Sequence, residues 1–273
     1  MNNPTENEID DLFDRYQKGQ YDDAEKLAKS IIQKYPNHAF SWKVLGAVYK
    51  NTGKLQDSLV ANRKAVELVP TDAAAHNNLG ITLQELLMLD EAEKCYRRAI
   101  DLSPEFSEAH NNLGVTLQER GNLADAEQSY KNTISINADF IQAHYNLGIT
   151  LQELGRFEEA TESYKKAIAI HPNHPDAHYN LGNTYKEFNR LEEAELSYRK
   201  ALELNPNFAN AFNNLGIVLQ EFGKLEESEA CYRKAISMNS EFSEAHSNLG
   251  NILKELLRLD EAEASHQKAI EIN

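Results

Sequence analysis

Asparagine recurs at Asn78, Asn112, Asn146, Asn180, Asn214 and Asn248, each 34 residues after the last. A primary amide carries donors and an acceptor together, the complement of a peptide unit. Spaced along one face, such amides could grip an extended polypeptide backbone regardless of its side chains. Asparagine is also a poor residue inside a helix, costing roughly 0.5 kcal/mol against alanine, so the run needs a reason. The competing readings are inheritance by duplication, or amides that merely bond one another. The preceding position has drifted through Asn77, Asn111, Tyr145, Tyr179, Asn213 and Ser247 while this one has held, which argues against inheritance alone.

The elements that carry these amides follow from the same period. Two residues after each asparagine comes a glycine: Gly80, Gly114, Gly148, Gly182, Gly216 and Gly250, with Gly46 before them. With glycine as position 8, leucine precedes it at 7, as in Leu79 and Leu113. Position 20 is small (Ala92, Ala126, Ala160, Ala194, Ala262, with Ser58 and Ser228), and position 24 is aromatic at Tyr96, Tyr130, Tyr164, Tyr198 and Tyr232. Alanine follows at 27 and proline at 32, as in Ala99 and Pro104. Small residues let two helices approach closely, and the aromatic fills the space beside them. Gly53, Gly121, Gly155 and Gly223 suit a left-handed helix stop, and proline ends the second helix. A period this short means stacked helix pairs, each packing only on its neighbours.

This set of positions closely resembles the tetratricopeptide repeat (TPR) family over practically the whole chain. The resemblance implies an all-α, right-handed superhelix of about eight helix-turn-helix repeats in a single array, 1–273. The repeats run 5–38, 39–72, 73–106, 107–140, 141–174, 175–208, 209–242 and 243–273. The first is degenerate, with Leu12 in place of glycine, and suits a cap with a polar outer face. The last stops three residues short with no polar helix after it. That points to a piece of a longer protein or to an end that self-associates. Leu87 and Leu257 replace the helix-stop glycine; either the turn differs there or apolar side chains are wanted at that edge.

At 100° per residue, positions 3, 4, 7, 8 and 11 of the first helix share its buried side, and 2, 5, 6, 9, 12 and 13 the opposite side. In the TPR fold that opposite side lines a concave surface. Position 9 adds an apolar strip of Ile81, Val115, Ile149 and Ile217. Position 12 supplies Gln84, Gln118, Gln152 and Gln220, with Lys50, Lys186 and Lys254. Position 13 is glutamate at 85, 119, 153, 187, 221 and 255, read as an acidic rim or as a solvated face supporting the helix. The asparagine ladder, in segments such as AHNNLG and AHYNLG, is similar to the superhelix of O-linked N-acetylglucosamine transferase, whose ladder holds protein substrates by their backbone. No glycosyltransferase domain is present, and Val44 breaks the ladder at the second repeat. The carboxylate clamp of the TPR chaperone adaptors does not carry over: from Lys43, the matching positions are Ala47, Asn78, Glu108 and Asn112, without the basic residues an anion needs.

The chain has 273 residues and a net charge of -15, with 43 acidic against 28 basic residues. That disfavours nucleic acid and anionic membranes and favours a neutral or basic polypeptide partner. Neither a signal peptide nor a membrane span is found, and Cys95 and Cys231 lie four repeats apart, beyond disulfide reach. Both read as free thiols in a reducing, cytoplasmic setting. The histidines at position 4 (His76, His110, His144, His178, His246) share their slot with Trp42 and Phe212 and read as packing. His171, His174 and His178 only loosely suit a metal, and no catalytic motif is present. The expectation is a protein–protein interaction module with no enzymatic activity, metal or cofactor. It is either free-standing, the substrate-recognition region of a transferase-like enzyme, or a self-associating scaffold.

Overall fold

A computed structural model describes residues 3–272, in which sixteen α-helices and no strands occur. The chain packs as two compact units, Met1–Phe140 and Ile141–Asn273. The first holds α1 (Glu6–Gln17), α2 (Tyr21–Lys34), α3 (Ala39–Asn51), α4 (Leu55–Leu68), α5 (Ala73–Glu85), α6 (Leu89–Leu102), α7 (Ser107–Glu119) and α8 (Leu123–Ile136). The second holds α9 (Ile141–Glu153), α10 (Phe157–Ile170), α11 (Pro175–Glu187), α12 (Leu191–Leu204), α13 (Ala209–Glu221), α14 (Leu225–Met238), α15 (Ser243–Glu255) and α16 (Leu259–Ile272). Odd-numbered helices are the first of each hairpin and even-numbered helices the second.

Each hairpin closes on the pair at positions 8 and 24. A Cβ added at Gly114 would lie 2.6 Å from the Tyr130 ring, and one at Gly148 would lie 2.5 Å from Tyr164. Only glycine lets the ring lie flat against the facing helix. Tyr96, Tyr130, Tyr164, Tyr198 and Tyr232 are all fully buried. Burial raises the phenol pKa values of Tyr96, Tyr164, Tyr198 and Tyr232, the last to about 12. Three hairpins depart from the pair: the first has Leu12 and Ala28 at these positions, Asn62 faces Gly46, and His266 faces Gly250.

Neighbouring hairpins are tied across the outer surface by repeated ion pairs. Position 16 reaches back to position 21 of the preceding repeat, as in Lys54–Glu25 at 2.8 Å and Arg258–Glu229 at 2.8 Å. Position 25 reaches forward, as in Arg63–Glu91 at 2.9 Å and Arg233–Glu261 at 3.1 Å. Hydrogen bonds from Lys29 and Lys54 hold the Glu25 carboxyl below its ordinary pKa. Exposed pairs of this kind contribute a few tenths of a kcal/mol each, so the stack rests on its buried residues.

The turns inside the hairpins are uniform. Leu87 and Leu257 adopt φ of 59° and 62°, beside 74° and 76° at Gly53 and Gly121. The turn is therefore the same one, and the leucines occupy the left-handed region at a penalty of about 1–2 kcal/mol. Neither recovers this by packing, since they are 81% and 83% exposed. Replacing both with glycine is expected to raise stability by about 1 kcal/mol in total, after the larger chain entropy of unfolded glycine is subtracted. A higher urea midpoint at unchanged slope is the measurable result; an unchanged midpoint would show the leucines to be unstrained.

Candidate functional site

Within each unit the first helices touch one another, α3 on α5 and α5 on α7, then α11 on α13 and α13 on α15. No such contact joins successive second helices among the described residues. The first helices thus line the inner side of each stack, and the side chains between them meet across repeats.

The asparagines at position 6 sit in these seams. Asn112 Nδ2 donates to Asn77 Oδ1 of the preceding repeat at 3.1 Å. Asn180 Nδ2 donates to the Tyr145 hydroxyl at 3.1 Å, and Asn248 Nδ2 to Asn213 Oδ1 at 3.0 Å. Each therefore pins one repeat to the next. A primary amide has two N–H groups and a carbonyl, so these three keep one N–H and Oδ1 for another partner. All three are half-buried. Asn214 is more committed: its Nδ2 reaches both Tyr179 at 3.2 Å and Asn183 at 2.8 Å, and its Oδ1 accepts from Asn213. Asn146 is buried and accepts from Gln142 at 3.0 Å. Asn78 is the opposite case. The residue at position 5 before it is Lys43, which has no acceptor to offer and donates to Asp72 at 2.6 Å, and the Asn78 side chain makes no bond among the described residues.

Position 5 requires a correction. The helix-wheel expectation turns it outward with position 6, yet Asn77, Asn111 and Asn213 are buried. They lie under the seam, where Asn77 and Asn213 serve as acceptors for the next repeat. Tyr145 and Tyr179 are half-buried in the same place, stacked at 4.8 Å on His174 and 4.7 Å on Phe208. Burial raises both phenol pKa values. These side chains shape the face from beneath it.

Position 12 has a comparable double duty. The buried tyrosines donate to glutamine carbonyls on their own first helix: Tyr96 to Gln84 at 3.0 Å, Tyr130 to Gln118 at 3.1 Å and Tyr164 to Gln152 at 3.1 Å. The amide nitrogen then points along the face, where Gln84 meets Glu119 at 3.1 Å and Gln220 meets Glu255 at 2.7 Å. Where lysine replaces glutamine at 186, Asn183 at position 9 takes the Tyr198 hydroxyl instead, at 2.8 Å. Ile81, Val115, Ile149 and Ile217 are half-buried between these polar rows, and the position 13 glutamates are exposed beside them.

Family models described as tetratricopeptide repeat match residues 14–73, 73–106, 95–128, 139–207, 197–230 and 243–273. The chain belongs to the tetratricopeptide-repeat family. A TPR chain is a protein–protein interaction module at this level of description. No curated protein matches it. Among solved structures, this TPR chain is similar to MamA at 26% identity and a TM-score of 0.56, over 59% of this chain and 94% of that one. YrrB, described as a TPR protein with an unusual peptide-binding site, is 22% identical with a TM-score of 0.59, over 68% and 95%. PilF of Pseudomonas aeruginosa is 19% identical with a TM-score of 0.69, over 76% and 94%. The last two likenesses concern the fold.

Two further rows of this TPR chain have structural work. At position 10, buried Thr82, Thr116 and Thr184 donate back to the carbonyls of Asn78, Asn112 and Asn180, at 3.1, 3.0 and 2.8 Å. Threonine at a 34-residue spacing was the available signal for this row. At position 4, His76, His110 and His178 place Nε2 at 2.9–3.0 Å from the carbonyl of the proline six residues earlier, and Trp42 donates there in the same way. The ring N–H thus satisfies the turn between repeats. His174 caps α11, accepting from the Ala177 amide at 3.3 Å, and burial lowers its pKa. Cys95 and Cys231 are half-buried free thiols, and burial pushes both up to about 11. No described helix is long and apolar enough to cross a membrane.

Proposed function

We propose that the inner, first-helix face of each unit binds an extended polypeptide by its backbone, with Asn78, Asn112, Asn180 and Asn248 as the principal contacts. The observation that carries this reading is the half-spent amide. In Asn112, Asn180 and Asn248 one N–H is held by the preceding repeat while a second N–H and the carbonyl remain unused. Such a side chain has already lost its rotamer freedom on folding, so a ligand need not pay that entropy again. One amide then meets one peptide unit, donor to carbonyl and carbonyl to N–H. The apolar strip at Ile81, Val115, Ile149 and Ile217 would cover the alternate side chains of the ligand. The exposed glutamates add a negative field that speeds encounter with neutral or basic segments.

Backbone recognition makes an unusual demand on the ligand: sequence should matter little and the peptide N–H should matter greatly. Unstructured peptides of one composition in scrambled orders are expected to bind within a few-fold of each other in fluorescence anisotropy. The same peptides N-methylated at alternate residues are expected to bind at least tenfold more weakly, since each lost bond is worth about 1 kcal/mol. Equal binding of the N-methylated forms would overturn the backbone reading.

A further inference from the structure

Position 12 of the sixth repeat departs from a pattern that the fold imposes elsewhere. Tyr96, Tyr130, Tyr164 and Tyr232 each donate to the glutamine carbonyl at that position of their own hairpin. Tyr198 cannot, because Lys186 stands there and an ammonium offers no acceptor. A buried hydroxyl left without an acceptor is costly. Asn183 removes that cost by accepting from Tyr198 at 2.8 Å, at a position that is isoleucine or valine in four other repeats. Lys50 and Lys254 raise no such conflict, since their hairpins carry Asn62 and His266 in place of the tyrosine. Lysine and glutamine have nearly equal helix propensity. The fold therefore gains nothing from Lys186 and tolerates it only with a second substitution.

The ammonium is also uncommitted. Lys50, in the same row, pairs with Glu85 of the next repeat at 3.4 Å. Lys186 makes no side-chain bond or ion pair among the described residues, neither with Glu187 beside it nor with Glu221, the counterpart of Glu85. An unpaired ammonium stays in water while its stem packs on the protein, and the residue is half-buried. Its surroundings are acidic. In the inner-face rows of the second unit the only other cation is Lys254, against a glutamate at position 13 of every repeat.

We propose that Lys186 anchors one acidic side chain, aspartate or glutamate, of the polypeptide held on the inner face, and so sets the register in which that polypeptide lies. The proposal rests on the backbone-binding reading above and adds a sequence requirement to it. A ladder of amides offers the same contact at every rung, so it holds a backbone without fixing where each residue falls. A lone cation among glutamates does fix it, because a ligand carboxylate is attracted at α11 and repelled at the flanking rungs. A neutral ligand side chain forgoes that attraction, and a basic one is repelled by the ammonium.

The test compares unstructured peptides of alanine, serine and glutamine with the same peptides carrying one central glutamate in place of glutamine. The native chain is expected to bind the glutamate form about fivefold more tightly in fluorescence anisotropy, a charge-assisted hydrogen bond partly offset by the neighbouring glutamates. A benzoylphenylalanine placed next to the glutamate should crosslink chiefly to the α11–α13 segment, and across several repeats when glutamine replaces the glutamate. Lys186→Gln installs the residue of four other repeats and leaves the Tyr198–Asn183 bond in place. This variant should bind the glutamine peptide as tightly as the native chain and lose both the preference and the localised crosslink, whereas Lys186→Arg should keep both. Equal binding of the two peptides by the native chain overturns the anchor and leaves the backbone reading intact. A preference that survives Lys186→Gln also overturns it, and one lost instead in Lys254→Gln assigns the carboxylate to the other lysine. Failure of the native chain to bind any peptide overturns both readings.

Discussion

Alanine at Asn112, Asn180 and Asn248 together is expected to weaken peptide capture at least hundredfold while leaving the protein folded. Each substitution removes one donor and one acceptor from the inner face, about 1 kcal/mol or more of binding per rung. Three rungs multiply to a factor of a hundred or beyond. The folding side needs its own arithmetic, because these amides also join repeats. Their loss leaves Asn77 Oδ1, the Tyr145 hydroxyl and Asn213 Oδ1 without a donor. Each vacancy costs about 1 kcal/mol, and alanine returns roughly 0.5 through helix propensity. A net loss of about 1.5 kcal/mol is a fraction of the 5–15 typical of a domain. The melting temperature should fall by a few degrees and the far-ultraviolet spectrum should keep its helical form. Asn78→Ala is the matching control. No seam bond is lost there, so affinity should fall without loss of stability. Unchanged affinity in the triple variant would reduce the row to a set of structural staples.

Tyr164→Ala is expected to have the largest effect on stability, a loss of about 3–5 kcal/mol. The ring is fully buried against Gly148, and its hydroxyl donates to Gln152 at 3.1 Å. Its removal opens a cavity and frees the glutamine that it orients, so one substitution reaches both the core and the inner face. Gly148→Ala separates these causes. In the native chain the new methyl would meet the ring at 2.5 Å, and overpacking of this kind costs about 1–3 kcal/mol. In the Tyr164→Ala background the same methyl has room, and the helix gains up to about 1 kcal/mol from losing glycine. The effect of Gly148→Ala should therefore change sign between the two backgrounds, a coupling of about 2 kcal/mol or more. Urea titration of the four chains measures it. An identical effect in both backgrounds would mean that the ring is not what requires glycine.

The two experiments bear on different levels of the same repeat. The glycine–tyrosine pair acts within one hairpin, over sixteen residues of chain, and shows in sequence as two positions with matching periods. The asparagine seam acts between hairpins, joining residues 35 apart such as Asn77 and Asn112. A helix wheel drawn for one repeat contains no information about the neighbour that will cover it. That is why positions 5 and 6 look equivalent in sequence, while one is a buried acceptor and the other a half-open donor. The same limit hid the glutamine row's bonds to tyrosine, and it hid the reason for histidine at position 4, a carbonyl in the preceding turn.

By itself the sequence determined the hairpins, their period, the turns and the chemistry of each row, because these depend on residues close in the chain and on helical geometry alone. Leu87 and Leu257 show how strong that local rule is: the turn kept its left-handed form even without glycine. Only the tertiary structure decided how much of each row remains available. It committed Asn214, used only the side-chain oxygen of Asn146, left half an amide at Asn112, Asn180 and Asn248, and left Asn78 free, since Lys43 before it carries donors only and is paired with Asp72. It also paired Lys50 with Glu85 while leaving the ammonium of Lys186, in the same row, without a partner. Hydrogen-bonding capacity is a property of the residue; what is left of it after folding depends on which neighbours the packing brings within about 3 Å.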